Sequence, residues 1–175
     1  PGGISEPGFL QEVEDFANWF RQQPETIHVN VFTDIMKRLN KNMHGDDNTM
    51  YRLPDERNLS AQYLLMYEMS RPYGLDLNNQ INVDKSATRM VVTLQTLSTN
   101  QMIELEQRST QWIADNAKYI KAAAASGPTM MFAHIGKRNI ISMLGGTTIA
   151  LILISLIMIV ALRSFKLGLT SMVPN

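Results

Sequence analysis

Apolar and polar positions divide this chain unevenly. From Asn139 to Leu162, NIISMLGGTTIALILISLIMIVAL runs for twenty-four residues without a charge or a proline. As a helix it would reach roughly 36 Å, more than the hydrocarbon core of about 30 Å, so the pattern predicts a membrane-spanning segment. Upstream the periodicities change. Phe9, Leu10, Val13, Phe16, Ala17 and Phe20 fall at helical spacing, with Glu12, Glu14 and Asp15 assigned to the solvated face, and Pro24 stops that helix near Gln23. Pro1 to Gly8 is a turn-rich lead-in. Thr26 to Phe32 alternates like a strand, which makes His28 a partly buried structural residue.

Thr33 or Asp34 can cap a short helix, IMKRLNKNM, whose Lys37, Arg38 and Lys41 form a solvated basic side. Leu59 to Met69 is a helix apolar on more than one side, ended by Arg71-Pro72-Tyr73-Gly74. A long strand is expected over Ile81–Gln95, with Met90, Val92 and Leu94 on one face and Val91 and Thr93 on the other. Asp84, Lys85 and Arg89 there read as charges beside an edge or a turn. Thr99 to about Lys121 is an amphipathic helix capped by Ser98 or Thr99. KAAAASGP closes it, Gly127-Pro128 being the stop, and Thr129–Ile135 is a last short strand with His134 at its junction to the membrane segment. The fold class is therefore α+β: the later strand–helix–strand closes by a right-handed crossover, and helices cover one face of a small split βαβ sheet.

Charge refines this division. Lys plus Arg and Asp plus Glu both number sixteen, giving no net charge, yet every acidic residue lies between Glu6 and Asp115. From Met130 onward the charges are Lys137, Arg138, Arg163 and Lys166, so cations flank both ends of the apolar stretch. No basic run with interleaved aromatics points to nucleic acid. The chain has no cysteine, which excludes disulfides and thiolate metal sites. His44, Asp46 and Asp47 in HGDDNT lack the ligand spacing of a calcium loop, so no metal or other cofactor is expected. No nucleophile–base–orienter set is visible, and the chain does not read as an enzyme. PGGISEPGF lacks the features of a signal peptide, and SFKLGLTSMVPN turns apolar again toward another helix, so the sequence reads as a piece of a longer polypeptide.

Three sets of residues are singled out. Tyr63, Met66, Tyr67 and Met69 offer soft and aromatic surface for substrate contact, weighed against burial in a core. Met130, Met131 and Phe132 are secondary candidates for guiding a lipid-like molecule. Ser142, Gly145 and Gly146 give the membrane helix a small-residue face for helix packing. The apolar helix has no ionisable residue and cannot relay protons.

TDIMKRLNKNMHGDD, YGLDLNNQINVDKSATR, GPTMMFAHIGKRNI and ALRSFKLGLTSMVPN together make the chain resemble an internal part of a bacterial exporter of the resistance–nodulation–division superfamily, in the MMPL-type or hydrophobe/amphiphile branch. The resemblance implies a partial, ferredoxin-like periplasmic porter domain over residues 1–136. A transmembrane helix over 137–163 would come next, the second of a repeat, and residues 164–175 would form a cytoplasmic loop entering the next helix. It also implies a bacterial inner-membrane location and proton-driven export of hydrophobic or amphiphilic compounds. Its implied partners are the remaining transmembrane and porter domains of the parent chain, membrane lipid and a further copy of the protein. The proton-relay carboxylates of such exporters lie on a later helix. A membrane-tethered sensory or scaffold domain binding a partner protein is the alternative, and a hydrolase is a distant third.

Overall fold

The computed structural model describes residues 2–72 and 77–162. The expected stop at Tyr73-Gly74 and the loop at 164–175 lie outside these residues. The chain divides into two compact units, Pro1–Leu97 with Leu105–Ala124 and Ser98–Glu104 with Ala125–Asn175.

After a 3-10 turn at Gly3–Ser5, α1 spans Pro7–Arg21, β1 Thr26–Asn30, α2 Phe32–Met43 and α3 Arg57–Ser70. β2 spans Val91–Leu94, α4 Thr99–Asn116 and α5 Pro128–Leu162. β1 and β2 pair antiparallel, with Val29 opposite Val92 and Asn30 opposite Val91. Among the described residues the sheet has these two strands.

α1 organises the first unit. Pro7 begins it without needing a backbone donor, and Leu10, Val13, Ala17 and Phe20 are buried at the predicted spacing. Leu10 joins Ile4, Phe32, Met36, Tyr63 and Leu64 in one core. Val13, Ala17 and Phe20 join Val29, Val31 and Leu105 in a second, with Met90, Val92 and Leu94 packed against it. The alternation expected of β2 is thus met: Val91 and Thr93 face outward and are exposed. Phe16 stacks on Trp112 at 5.1 Å between centroids and meets Trp19 and Phe20, tying α1 to α4 through aromatic faces.

Several expectations are corrected. α2 starts at Phe32, because Phe32 and Met36 must share the buried face; its N-cap is Val31, and Thr33 lies inside the first turn, fully buried. The long strand over 81–95 is broken by a bend. Asn82 Oδ1 accepts from the Ser86 and Ala87 amides at 2.8 and 2.9 Å, Lys85 takes a left-handed φ of 52°, and Ile81 and Thr88 form an isolated bridge. His28 is exposed, on the sheet face away from α1.

Ser98 does cap α4: its backbone N–H donates to Gln101 Oε1 at 3.0 Å, and its hydroxyl accepts from the Gln101 amide at 3.4 Å. The helix ends at Asn116, short of the alanines, because the next amides turn to a side chain from α1. Gly127-Pro128 opens a helix instead of closing one. Gly127 has φ 149°, a conformation that favours glycine, and Pro128 sits in the first turn of α5. With no proline from 129 to 162, α5 continues unbroken, and the strand expected over Thr129–Ile135 is helical. The crossover that needed that strand is absent from the described residues.

Candidate functional site

α3 carries the predicted substrate-contact residues, and its turn of 100° per residue separates them. Tyr63 is buried in the first core and its hydroxyl donates to Asn40 Oδ1 at 3.4 Å. Asn40, itself buried, also donates to the Met50 and Arg52 carbonyls at 3.1 and 3.0 Å, fastening the loop after α2. Tyr67, four residues after Tyr63, packs against the same core. The Arg71 guanidinium lies 5.0 Å from its ring centre and hydrogen-bonds to its hydroxyl. Met66 and Met69 point away, 49% and 78% exposed, and Leu65 joins them at 54%. The four residues therefore do not converge. Two hold α3 in place, and two form an exposed, polarizable ridge with Leu65.

A surface groove of about 400 Å³ lies elsewhere, lined by Pro7, Gln11, Arg52, Leu53, Pro54 and Asp55. Arg52 and Asp55 are paired across it at 3.0 Å, and none of the α3 candidates lines it.

The densest polar cluster joins α1 to α2. Glu14 Oε2 accepts from the Thr33 hydroxyl at 2.5 Å, while Oε1 accepts from Lys37 at 2.7 Å and Arg21 at 3.2 Å. Asp34 completes the ring, 2.8 Å from both Arg21 and Lys37. Burial alone would push the Glu14 carboxyl up, but the hydrogen bonds from Lys37 and Thr33 and the charges of Lys37 and Arg21 hold it below the ordinary carboxylate range. For Lys37 burial likewise works against charge. Hydrogen bonds to Asp34 and Glu14, with their charges, outweigh it and raise its pKa. Both Glu14 oxygens are engaged, and the cluster is a clamp between α1 and α2. Glu14 and Lys37 are therefore not on the solvated faces expected for them: their side chains are 12% and 13% exposed. Position 14 follows Leu10 by four and precedes Ala17 by three, so the apolar stripe itself placed it inward.

A second carboxylate of α1 makes a longer-range connection. Glu12 accepts backbone N–H bonds from Lys118, Tyr119 and Ile120 at 2.6, 2.8 and 2.9 Å. Three consecutive amides facing one anion form a nest. Tyr119 lies over α1 at Gly8, where a Cβ would come within 2.5 Å of its ring. Arg108 adds a third tie, donating to Glu25 at 2.6 Å and Gln23 at 2.8 Å in the turn before β1. No composition or periodicity signal marks these long-range pairs.

HGDDNT folds as a turn. The Asp47 carboxylate accepts from the Thr49 amide at 2.9 Å, and hydrogen bonding from Thr49 with the nearby His44 charge lowers its pKa. His44 Nδ1 lies 2.7 Å from the Asn40 carbonyl. Among the described residues no group of His, Asp and Glu has the arrangement of a metal site.

α5 is by length and composition able to cross a membrane over Pro128–Ile157. Ser142, Gly145 and Gly146 are exposed on it, and an added Cβ at either glycine meets open space. Thr148 returns its hydroxyl to the Leu144 carbonyl at 2.8 Å, satisfying it within the helix. His134 is exposed on the first turns. Comparison with family models, with curated proteins and with solved structures finds no match to this chain.

Proposed function

We propose that this chain is part of a proton-driven exporter of hydrophobic or amphiphilic compounds, lipids or drugs, in the inner membrane of a bacterium. Residues 1–136 supply a periplasmic porter domain of split βαβ, ferredoxin-like type, completed by strands of the parent chain. The observation that carries this reading is the uncharged stretch 139–162 within α5, which leads into ALRSFKLGLTSMVPN. That order, a mixed helix-and-strand unit, a membrane-length helix and a basic sequence turning apolar, is what the resemblance to MMPL-type exporters requires.

In this reading Leu65, Met66 and Met69 present the adaptable apolar surface that meets substrate, while Tyr63 and Tyr67 fix the helix that bears it. Ser142, Gly145 and Gly146 are where another membrane helix approaches α5. The chain does no covalent chemistry of its own, and proton coupling falls to carboxylates elsewhere in the parent protein.

The test is gradient-dependent transport by the full-length parent in liposomes, offered lipid-like and amphiphilic dyes. Dye movement that collapses with the proton gradient is the expected result. A folded protein that moves none of a broad set would refute the exporter reading. A tethered scaffold is the second reading, favoured by one feature: the sheet face opposite α1 exposes His28, Asn30, Val91 and Thr93. In that reading a partner protein covers this face, and the transport assay separates the two readings.

A further inference from the structure

α5 has 35 residues and is about 52 Å long, whereas a hydrocarbon core of about 30 Å takes up about twenty. The surplus is not featureless. The helix has two charges, Lys137 and Arg138, adjacent and exposed at its tenth and eleventh positions, and no acidic residue. Among the described residues no carboxylate forms an ion pair with either one. Side chains on a helix lean toward its N-terminus. Long cationic side chains at 137 and 138 therefore reach away from the uncharged segment, placing their charges about one turn nearer the N-terminus. There the helix exposes Ile135, 46%, and further out Met131 and Phe132, 54% and 65%.

Resting on the membrane reading of α5, we infer that the turn from Ile135 to Arg138 is a site for the headgroups of anionic phospholipids. With Arg138 at the hydrocarbon boundary, Ile135 stands about 4.5 Å outside it, within a headgroup layer of about 5–7 Å. Lys137 and Arg138 take phosphate oxygens in this layer. Ile135 packs among the headgroups, and Phe132, about 9 Å outside the boundary, stands just beyond them. The charge complementarity is one-sided: two cations with no counter-ion among the described residues meet the anionic phosphates of the lipid. The site is continuous with the span itself.

The absence of cysteine allows one labelled position at a time. The full chain, bearing a fluorophore at Ile135→Cys or at Leu153→Cys, is reconstituted in phosphatidylcholine vesicles with and without phosphatidylglycerol. Nitroxide on headgroups is expected to quench the probe at 135 most, and nitroxide deep in the acyl chains the probe at 153. Spin-labelled phosphatidylglycerol should favour the protein boundary over the choline lipid by on the order of fivefold, and K137Q/R138Q should abolish this. A water-exposed probe at 135, or a preference that survives K137Q/R138Q and so belongs to other cations, overturns the headgroup site. If the probe at 153 is quenched in that case, the membrane reading stands alone; if it is not, that reading falls as well.

Discussion

Glu12→Gln asks whether one carboxylate holds the chain that leads from α4 toward α5. In the native protein three amides, those of Lys118, Tyr119 and Ile120, donate to the two Glu12 oxygens over 2.6–2.9 Å. A hydrogen bond to a charged group contributes roughly 1.5–3 kcal/mol net. The bonds of Lys118 and Tyr119 are exposed and that of Ile120 is partly buried, so water recovers much of the loss. Glutamine also keeps one carbonyl oxygen as a neutral acceptor. A local loss of about 2 kcal/mol is the resulting expectation, equivalent to roughly thirtyfold in the opening equilibrium. Amide hydrogen exchange on the full chain reads this directly: the amides of residues 118–120 should exchange roughly thirtyfold faster in E12Q. Trp19 and Trp112 pack 6.4 Å apart at the α1–α4 contact, so unchanged tryptophan emission certifies that the helices themselves stay docked. Unaltered exchange at 118–120 with that emission intact would refute the clip. Gly8→Ala, whose Cβ collides with the Tyr119 ring, should release the same segment by steric means and speed the same amides.

The Glu14–Lys37 clamp and the α3 ridge give two further predictions. Because the Glu14 pKa is depressed, its stabilisation is complete above the unfolded value near 4.5 and is lost as pH falls through the folded one; because that of Lys37 is raised, its share is complete below about 10.5 and is lost as pH rises through the folded value. Denaturant titrations followed by tryptophan emission should show a plateau between these limits, E14Q should lower it by about 2–4 kcal/mol and flatten the acid limb, and an acid limb unchanged in E14Q would refute the assignment. On α3, Tyr63→Ala should cost about 3–5 kcal/mol by emptying a core position, whereas M66A/M69A should change stability by less than about 1 kcal/mol and lower dye transport by the parent; equal destabilisation by both would show the methionines to be packed.

Local periodicity carries much of the fold. α1, β1, α3 and the facing of β2 follow from apolar spacing, because each buries one stripe against a near neighbour. The features it misses depend on side chains that answer backbone groups far away in sequence or redirect them nearby. Asn82 bends the expected long strand by holding two amides, and Glu12 ends α4 early by taking three. Neither effect has a period. Gly127-Pro128 misleads for a related reason: the pair stops one helix or starts the next with equal chemistry, and the residues downstream of it set the direction. Thr129–Ile135 is short and apolar enough to serve as a strand, yet attached to an uninterrupted apolar segment it is cheaper to continue one helix than to leave unpaired strand edges. At the candidate site, residue type groups Met66 and Met69 with Tyr63 and Tyr67, and only the helical phase divides the exposed methionines from the packed tyrosines.

That division bears on how movement would pass through this chain. α5 is an unbroken rod, and the segment joining it to the Glu12 clip, residues 121–127, has no regular structure. Seven extended residues reach at most about 25 Å; with the clip open the free segment grows to eleven, residues 117–127, and about 40 Å. In the exporter reading, the clip keeps the link between α1 and α5 short, and opening it adds up to about 15 Å of slack. If the exporter reading holds, E12Q should slow gradient-driven transport by the parent while leaving dye binding and the α1–α4 tryptophan contact as they were. If the tether is instead a passive spacer, as the scaffold reading holds, lengthening it leaves partner binding unchanged. Transport at the native rate in an E12Q protein with faster exchange at 118–120 would show that the clip opens without consequence for export.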